Sequence, residues 1–203
     1  MRTPATSAEL LLVRHAQSEW NALGRWQGQA DPELSQTGLQ QAEALAQRLV
    51  VELADTPIER LICSDLTRAR QTAAAIGDRL GRDPETDPRL RELDVGCWAG
   101  LTREQIAARD PALLERFESD DPDARPGGGE TRREIRVRAR HVIEQILAGS
   151  RGPRILIVTH LGFLRALLPG VEPENASMIR IDAQSALEQR RLFEASSGAG
   201  SPL

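Results

Sequence analysis

A chain of 203 residues that is 40% hydrophobic and 28% charged can bury about 70% of its unfolded surface, which excludes disordered and fibrous classes. A formal net charge of -4 excludes general affinity for nucleic acid, which needs a surplus of cations facing phosphates, so any phosphate binding has to be local. The basic residues are all Arg, with no Lys and no Tyr, so neither a Schiff-base lysine nor a tyrosine acid is available.

In chain order, Leu10 to Val13 is a short continuous apolar run, suited to a strand buried on both faces of a parallel sheet. The run is too short for a signal segment, and no 18 apolar residues follow one another anywhere, which predicts a cytoplasmic protein with no membrane partner. After Thr37, the residues Leu39, Ala42, Leu45 and Leu49 fall on one helical stripe. Ile58 to Cys63 is the second strand, and Ser64-Asp65 are N-cap residues for a helix with the stripe Leu66, Ala69, Ala73, Ile76 and Leu80. Residues 83 to 100 are expected as loop with a short extended piece around Arg89 to Leu93, and Thr102 to Ala108 and Pro111 to Glu118 as short helices.

An acidic, then glycine-rich loop at 119 to 129 precedes a long helix with Ile135, Ala139, Val142 and Ile146 on one face. Gly127 to Gly129 lack a G-x-G-x-x-G pattern and are expected to form a flexible rim. Ile155 to Thr159 is the clearest buried strand, followed by a helix from about Phe163 to Leu168, stopped by Pro169. Met178 to Ile181 and Ala186 to Phe193 are expected as the last strands, with an antiparallel edge. The alternation predicts one domain over 1–203, with its core at 9–193 and a disordered tail at 194–203. Cys63 and Cys97 lie far apart and outside any C-x-x-C pair, so no disulfide framework or zinc ribbon is expected and the compartment reads as reducing.

In an open α/β sheet, ligands bind beyond the carboxyl ends of the strands. Three strands deliver basic groups there: the first ends in Arg14-His15, the second is followed within a helical turn by Arg68, and the strand at 155–159 ends in His160. Arg68 lies about 160° from the centre of its helix's apolar stripe, so packing does not account for it. Two guanidiniums, two imidazoles and helix N-termini in one crevice describe a site for a phosphoryl dianion. A neighbouring positive charge about 4 Å away costs a protonated His roughly 4 kcal/mol at an effective dielectric of 20, so His15 is expected neutral and nucleophilic. Hydrolysis of a phosphohistidine also needs a carboxyl group nearby. Glu92 in RELDVG is the candidate, with Glu85, Asp87 and Asp94 in the same acidic loop. His141 falls some 120° from its helix's stripe, a solvated position. Of the tryptophans, Trp26 beside Gln27 is a candidate substrate platform, and Cys63 reads as a small buried hydrophobe.

LVRHAQSEWN, GRWQGQADPELSQTG, SDLTRARQT, LRELDVGCWAG, PGGGET and IVTHLGFLRAL together are similar to the motifs of the histidine phosphatase superfamily, the phosphoglycerate-mutase-like enzymes, over roughly residues 9 to 193. The resemblance implies a three-layer sandwich with a mostly parallel central sheet flanked by helices. It implies His15 as the phosphorylated nucleophile, Arg14, Arg68 and His160 as holders of the phosphoryl oxygens, and Glu92 as proton donor. Asn21, Gln27 and Gly28 would line the phosphate or substrate entrance, and Leu161 and Gly162 the pocket. No metal or organic cofactor is implied.

Two positions depart from the pattern: Ala16 stands where Gly is usual, and Leu161 separates His160 from Gly162. The mutase branch carries a longer insertion before the last crossover helix, so the compact chain favours hydrolysis of a small phosphorylated metabolite, phosphoserine or a sugar or glycerate phosphate. A bisphosphoglycerate-dependent mutase and a noncatalytic phospho-ligand binding module are the alternatives. The oligomeric state is open, a homodimer included.

Overall fold

The structure, a computed structural model, describes residues 8–183. Its strands are β1 (Glu9–Arg14), β2 (Arg60–Cys63), β3 (Glu85–Thr86), β4 (Arg154–Thr159) and β5 (Met178–Asp182). Its α-helices are α1 (Glu19–Ala22), α2 (Gln36–Glu52), α3 (Thr67–Leu80), α4 (Arg103–Arg109), α5 (Pro111–Glu118), α6 (Arg132–Ala148) and α7 (Leu161–Leu167).

Leu10 to Val13 are apolar without interruption because β1 is covered on both faces. Successive side chains of a strand point to opposite sides. Leu10 and Leu12 therefore join Ile62, Ile155 and Ile157 beneath α6 and α7, while Leu11 and Val13 join Leu61, Cys63, Leu156 and Val158 beneath α2 and α3. Each such side chain, fully buried, contributes about 1.5–3 kcal/mol. The strand order is β3-β2-β4-β1-β5. The pairs β1–β4, β2–β4 and β2–β3 are parallel, and β5 runs antiparallel to β1 at the edge. This is the expected three-layer, mostly parallel α/β sandwich.

Several local expectations are corrected. α2 starts at Gln36 with Ser35 as N-cap, its hydroxyl accepting from the Gly38 amide at 3.0 Å. Gly38, not Leu39, faces inward: Leu39 is 46% exposed, because the first turn lies directly on the backbone of Gln17 and only a residue without Cβ fits there. Ser64-Asp65 do not cap α3. Its N-cap residue is Leu66, with no side-chain cap bond, and the carboxylate of Asp31, from a distant loop, takes the Thr67 amide at 2.5 Å and its hydroxyl at 2.8 Å. Asp65 instead pairs with Arg91 at 2.6 Å.

The extended piece between 83 and 100 sits at Glu85–Thr86, where parallel pairing to β2 is available; Pro88–Leu90 is a 3-10 turn instead. Gly127 and Gly129 are not a loose rim. At Gly127 (φ 56°) a Cβ would lie 2.3 Å from the Val95 oxygen, so the glycine segment packs backbone to backbone on residues 94–98. α7 begins at Leu161, immediately after β4, rather than at Phe163. The strand expected at Ala186 to Phe193 and the tail at 194–203 lie outside the described residues.

Replacing Gly38 with Ala would put a methyl group 1.9 Å from the Gln17 oxygen. Overpacking against backbone of this kind costs about 1–3 kcal/mol. The expected outcome is a lower urea midpoint with an unchanged denaturant slope, and a midpoint equal to that of the parent would contradict the contact.

Candidate active site

The β1–β4 register builds the centre of the site. Arg14 is the partner of Thr159, so the next residues, His15 and His160, leave neighbouring parallel strands at the same level. Their ring centroids are 5.0 Å apart at an interplanar angle of 58°. β2 lies on the far side of β4, and its chain turns into α3, which carries Arg68 back to the same end.

His15 is 2% exposed. Its Nδ1 is 2.7 Å from the Ala16 carbonyl oxygen. A carbonyl can only accept, so Nδ1 carries the proton and Nε2 keeps the free lone pair. Burial, and then the charge of Arg68, push the His15 pKa well below its ordinary value, with Arg14 acting in the same direction. His160 is lowered for the same first two reasons, then by His15 itself. Both imidazoles are therefore neutral at physiological pH.

Arg68 is fully buried and is fixed by the loop that also caps its helix: it donates to the Ala30 oxygen at 2.7 Å and the Gly28 oxygen at 2.9 Å. Burial lowers its pKa to about 10, against the pull of Glu92 and Asp31, so it remains a cation. Arg14 donates to the Pro173 oxygen at 3.0 Å, and burial lowers its pKa too, while Glu92 raises it. The nitrogens Arg14 Nε, Arg68 Nε and both ring nitrogens of His160 are buried without a protein partner. The two Nε–H groups and the one N–H of a neutral His160 are buried donors, costly unless an acceptor meets them, and oxygens of a tetrahedral anion are the acceptors whose charge matches two guanidiniums.

Glu92 lines the pocket that opens over His15, together with Arg14, Asn21, Gln27, Gly28, Leu161 and Gly162. The sequence-derived candidates thus meet in one place, with Arg68 and His160 buried beneath. Glu92 accepts from the Leu93 amide at 2.8 Å. Gly162 serves it directly: a Cβ there would lie 2.3 Å from Glu92 Oε1, so the glycine makes room for the carboxyl group. The other acids of that loop are engaged elsewhere, Glu85 with Arg60 and Asp87 with Arg89 at 2.6 Å each, and Asp94 with the Gly96 amide at 2.8 Å.

Supporting residues escaped the sequence reading. Thr72 accepts from the Ala16 amide at 3.0 Å, and Asn175 donates to the His15 oxygen at 3.0 Å and to Asn21 Oδ1 at 3.3 Å. Arg138 donates to the Arg89 and Arg91 oxygens at 2.7 and 2.8 Å while paired with Glu130 at 2.6 Å, which holds the Glu92 segment against α6. A hint lay in the Glu of PGGGET followed two turns later by an Arg. The pocket wall also carries Arg25, Arg132, Arg136 and Arg165. Of the aromatics, Trp26 lines the pocket and meets Trp98 edge-on at 5.5 Å, whereas Trp98 is fully buried. His141 is exposed, 2.8 Å from Gln145.

The two depressed histidines tie stability to pH. The unfolded chain takes up their protons near the ordinary value of 6.5, the folded chain only well below it, so the unfolded state binds more protons as pH falls through that window. Stability should fall below pH 6.5 by up to about 1.4 kcal/mol per pH unit per histidine. Urea midpoints measured without phosphate between pH 7 and 5 should fall less steeply in a His15→Asn/His160→Asn double variant; equal slopes would show that the imidazoles are not held neutral.

Comparison with known proteins gives the chain's family. Residues 10–188 match the family model of the histidine phosphatase superfamily, branch 1. A metal-independent phosphoserine phosphatase of Arabidopsis thaliana is 38% identical over 161 residues, which cover 78% of this chain and 66% of that protein, so the chain spans just under two thirds of this relative. Phosphoglycerate mutase-like protein 4 of the same plant is 34% identical over 189 residues, 92% of this chain and 80% of that protein. Among solved structures, a mycobacterial glucosyl-3-phosphoglycerate phosphatase in complex with VO3 aligns at a TM-score of 0.77 and 34% identity, covering 86% of this chain and 92% of that one. With its Arg-His pair, second histidine and buried arginine gathered at one end of the sheet, the chain belongs to the histidine phosphatase superfamily.

Proposed function

We propose that the chain is a metal-independent phosphomonoesterase that hydrolyses small phosphorylated metabolites through a phosphohistidine at His15. The observation that carries this reading is the neutral His15 ring, its Nδ1–H tied to the Ala16 oxygen at 2.7 Å, beside buried donors of Arg14, Arg68 and His160 that lack protein partners. In the first step Nε2 attacks phosphorus and the P–O ester bond breaks, the leaving oxygen taking its proton from the Glu92 carboxyl. In the second, Glu92 takes a proton from water, the hydroxide attacks phosphorus and the P–N bond breaks, which releases inorganic phosphate and restores His15. Arg14, Arg68 and His160 meet the phosphoryl oxygens throughout, in a water-poor setting where such contacts are strongest.

Hydrolysis is favoured over mutase chemistry by the short interval between Glu92 and α6, which holds only α4, α5 and two 3-10 turns. The relatives named for phosphoserine and for glucosyl-3-phosphoglycerate support small phosphorylated metabolites as substrates. A cytoplasmic setting belongs to the same proposal, supported by Cys63 and Cys97 both being free thiols; among the described residues no helix is long and apolar enough to cross a membrane.

His15→Ala should abolish phosphate release from para-nitrophenyl phosphate and remove the acid-labile phosphoenzyme. An active His15→Ala protein would overturn the mechanism, and wild type without phosphoenzyme or turnover would favour a binding module. Glu92→Gln should cost about 10²- to 10⁴-fold in kcat. A coupled enolase assay with 3-phosphoglycerate that ran faster than hydrolysis would favour the mutase. Gly162→Ala should displace the Glu92 carboxyl and lower kcat by about 10²-fold with the urea midpoint retained, as expected for roughly 1 Å of misplacement; an unchanged kcat would remove Glu92 from its assigned place.

A further inference from the structure

Two peptides meet at Ala16, and side chains from three separate parts of the chain hold them. The carbonyl of the first peptide, on His15, accepts from Asn175 Nδ2 at 3.0 Å, and its N–H, on Ala16, donates to Thr72 Oγ1 at 3.0 Å. The N–H of the second, on Gln17, donates to Gln41 Oε1 at 2.9 Å. Its carbonyl, on Ala16, meets the His15 ring, whose Nδ1 stands 2.7 Å away. Asn175 lies in the loop between α7 and β5, Thr72 on α3 and Gln41 on α2. The backbone beside the nucleophile is thus fixed from three directions.

Thr72 is fully buried. Its hydroxyl also donates to the Arg68 oxygen, one turn back, at 2.7 Å. A carbonyl only accepts, so the hydroxyl proton points there and a lone pair faces the Ala16 N–H. One oxygen thereby couples the helix that carries Arg68 to the peptide that follows His15. The methyl group of Ala16 adds a further attachment, buried with Leu34 and Ala42, which a glycine would lack. This restraint matters because either nitrogen of a neutral imidazole can carry the proton, and the bond made by one decides the state of the other. A rotated Ala16 carbonyl would release the Nδ1 proton, which could then settle on Nε2, and the nitrogen needed for attack would have no lone pair to give.

We propose that Thr72, Gln41 and Asn175 are positioning residues for phosphoryl transfer: by clamping the two peptides about Ala16 they keep its carbonyl on His15 Nδ1, and so keep Nε2 the nucleophilic nitrogen. This rests on the phosphohydrolase reading above and deepens it. None of the three has to touch substrate, since their effect reaches phosphorus through the Ala16 carbonyl and the His15 ring. A hydrogen-bond network that served stability alone would leave the tautomer as it is when one member is removed.

The test uses full-length protein with nitrogen-15-labelled histidine, whose long-range proton–nitrogen spectra, taken without phosphate, tell Nδ1–H from Nε2–H. The chain holds three histidines, and a His15→Asn control assigns the signal. Wild type should show His15 protonated at Nδ1. Thr72→Val, nearly the same shape without the hydroxyl, should move part of that signal to Nε2–H and slow phosphohistidine formation from para-nitrophenyl phosphate by about 10- to 100-fold, the scale of a misplacement of roughly 1 Å. Inorganic phosphate should still bind it calorimetrically as it binds wild type, because Arg14, Arg68 and His160 are unaltered. Thr72→Ser, which restores the oxygen, should restore both tautomer and rate. Should Thr72→Val not fold, Gln41→Ala and Asn175→Ala, at half-buried positions, carry the same prediction with losses of several-fold. A tautomer unchanged by these substitutions, whatever the rate does, overturns the clamp, as does a shifted tautomer at the wild-type rate. If the tautomer depends on Thr72 but wild type forms no phosphohistidine, the clamp stands and the phosphohydrolase reading falls.

Discussion

The parallel register of β1 on β4 is the constraint from which the site follows. Because Arg14 pairs with Thr159, two imidazoles emerge side by side with their rings 5.0 Å apart, and no loop has to be ordered to bring them together. The register is held by core packing on both faces of the sheet. A one-residue slip would turn Leu10 and Leu12 toward the wrong layer, so the geometry of the two histidines is secured by hydrophobic burial distant from any chemistry.

The same placement is costly electrostatically. Arg68 and Arg14 lose hydration, and their pKa values fall for that reason. Backbone carbonyls of Gly28, Ala30 and Pro173 offset part of the loss. They satisfy terminal nitrogens and add no counter-charge that would compete with an anion. Glu92 is the nearby negative group, and it attracts both guanidiniums without forming an ion pair with either among the described residues. Unsatisfied positive potential around buried side chains is how a protein binds and activates a dianion rather than stabilising itself.

Much of this was legible in the amino-acid sequence because it depends on period and on strand ends. The uninterrupted apolar runs at 10–13 and 155–158 announced a buried parallel sheet, and the cations that follow them announced its ligand-binding edge. The motifs around His15, Arg68, Glu92 and His160 led to the family. What stayed hidden depends on contacts between distant segments. Ser64-Asp65 looked like caps by local chemistry, but Asp31 reached the helix first and Asp65 was taken by Arg91. Gly127 looked flexible, whereas the close approach of residues 94–98 requires it. Arg132 went unread, since nothing in the sequence says that its guanidinium will lie 4.1 Å from the centre of the Phe117 ring.

The segment from Gly28 to Asp31 does two jobs at once. Two of its carbonyls grip Arg68, and its last carboxylate starts the helix on which Arg68 rides. Any shift in those four residues would loosen the grip and fray the helix together, so variation on this side of the cleft is penalised twice. α6 carries a double duty as well: Arg138 holds the Glu92 segment through the Arg89 and Arg91 oxygens, while Ile135, Val142 and Ile143 pack beneath Leu10, Leu12, Ile155 and Ile157. On both sides of the cleft, then, a functional side chain and the seating of a helix stand or fall together.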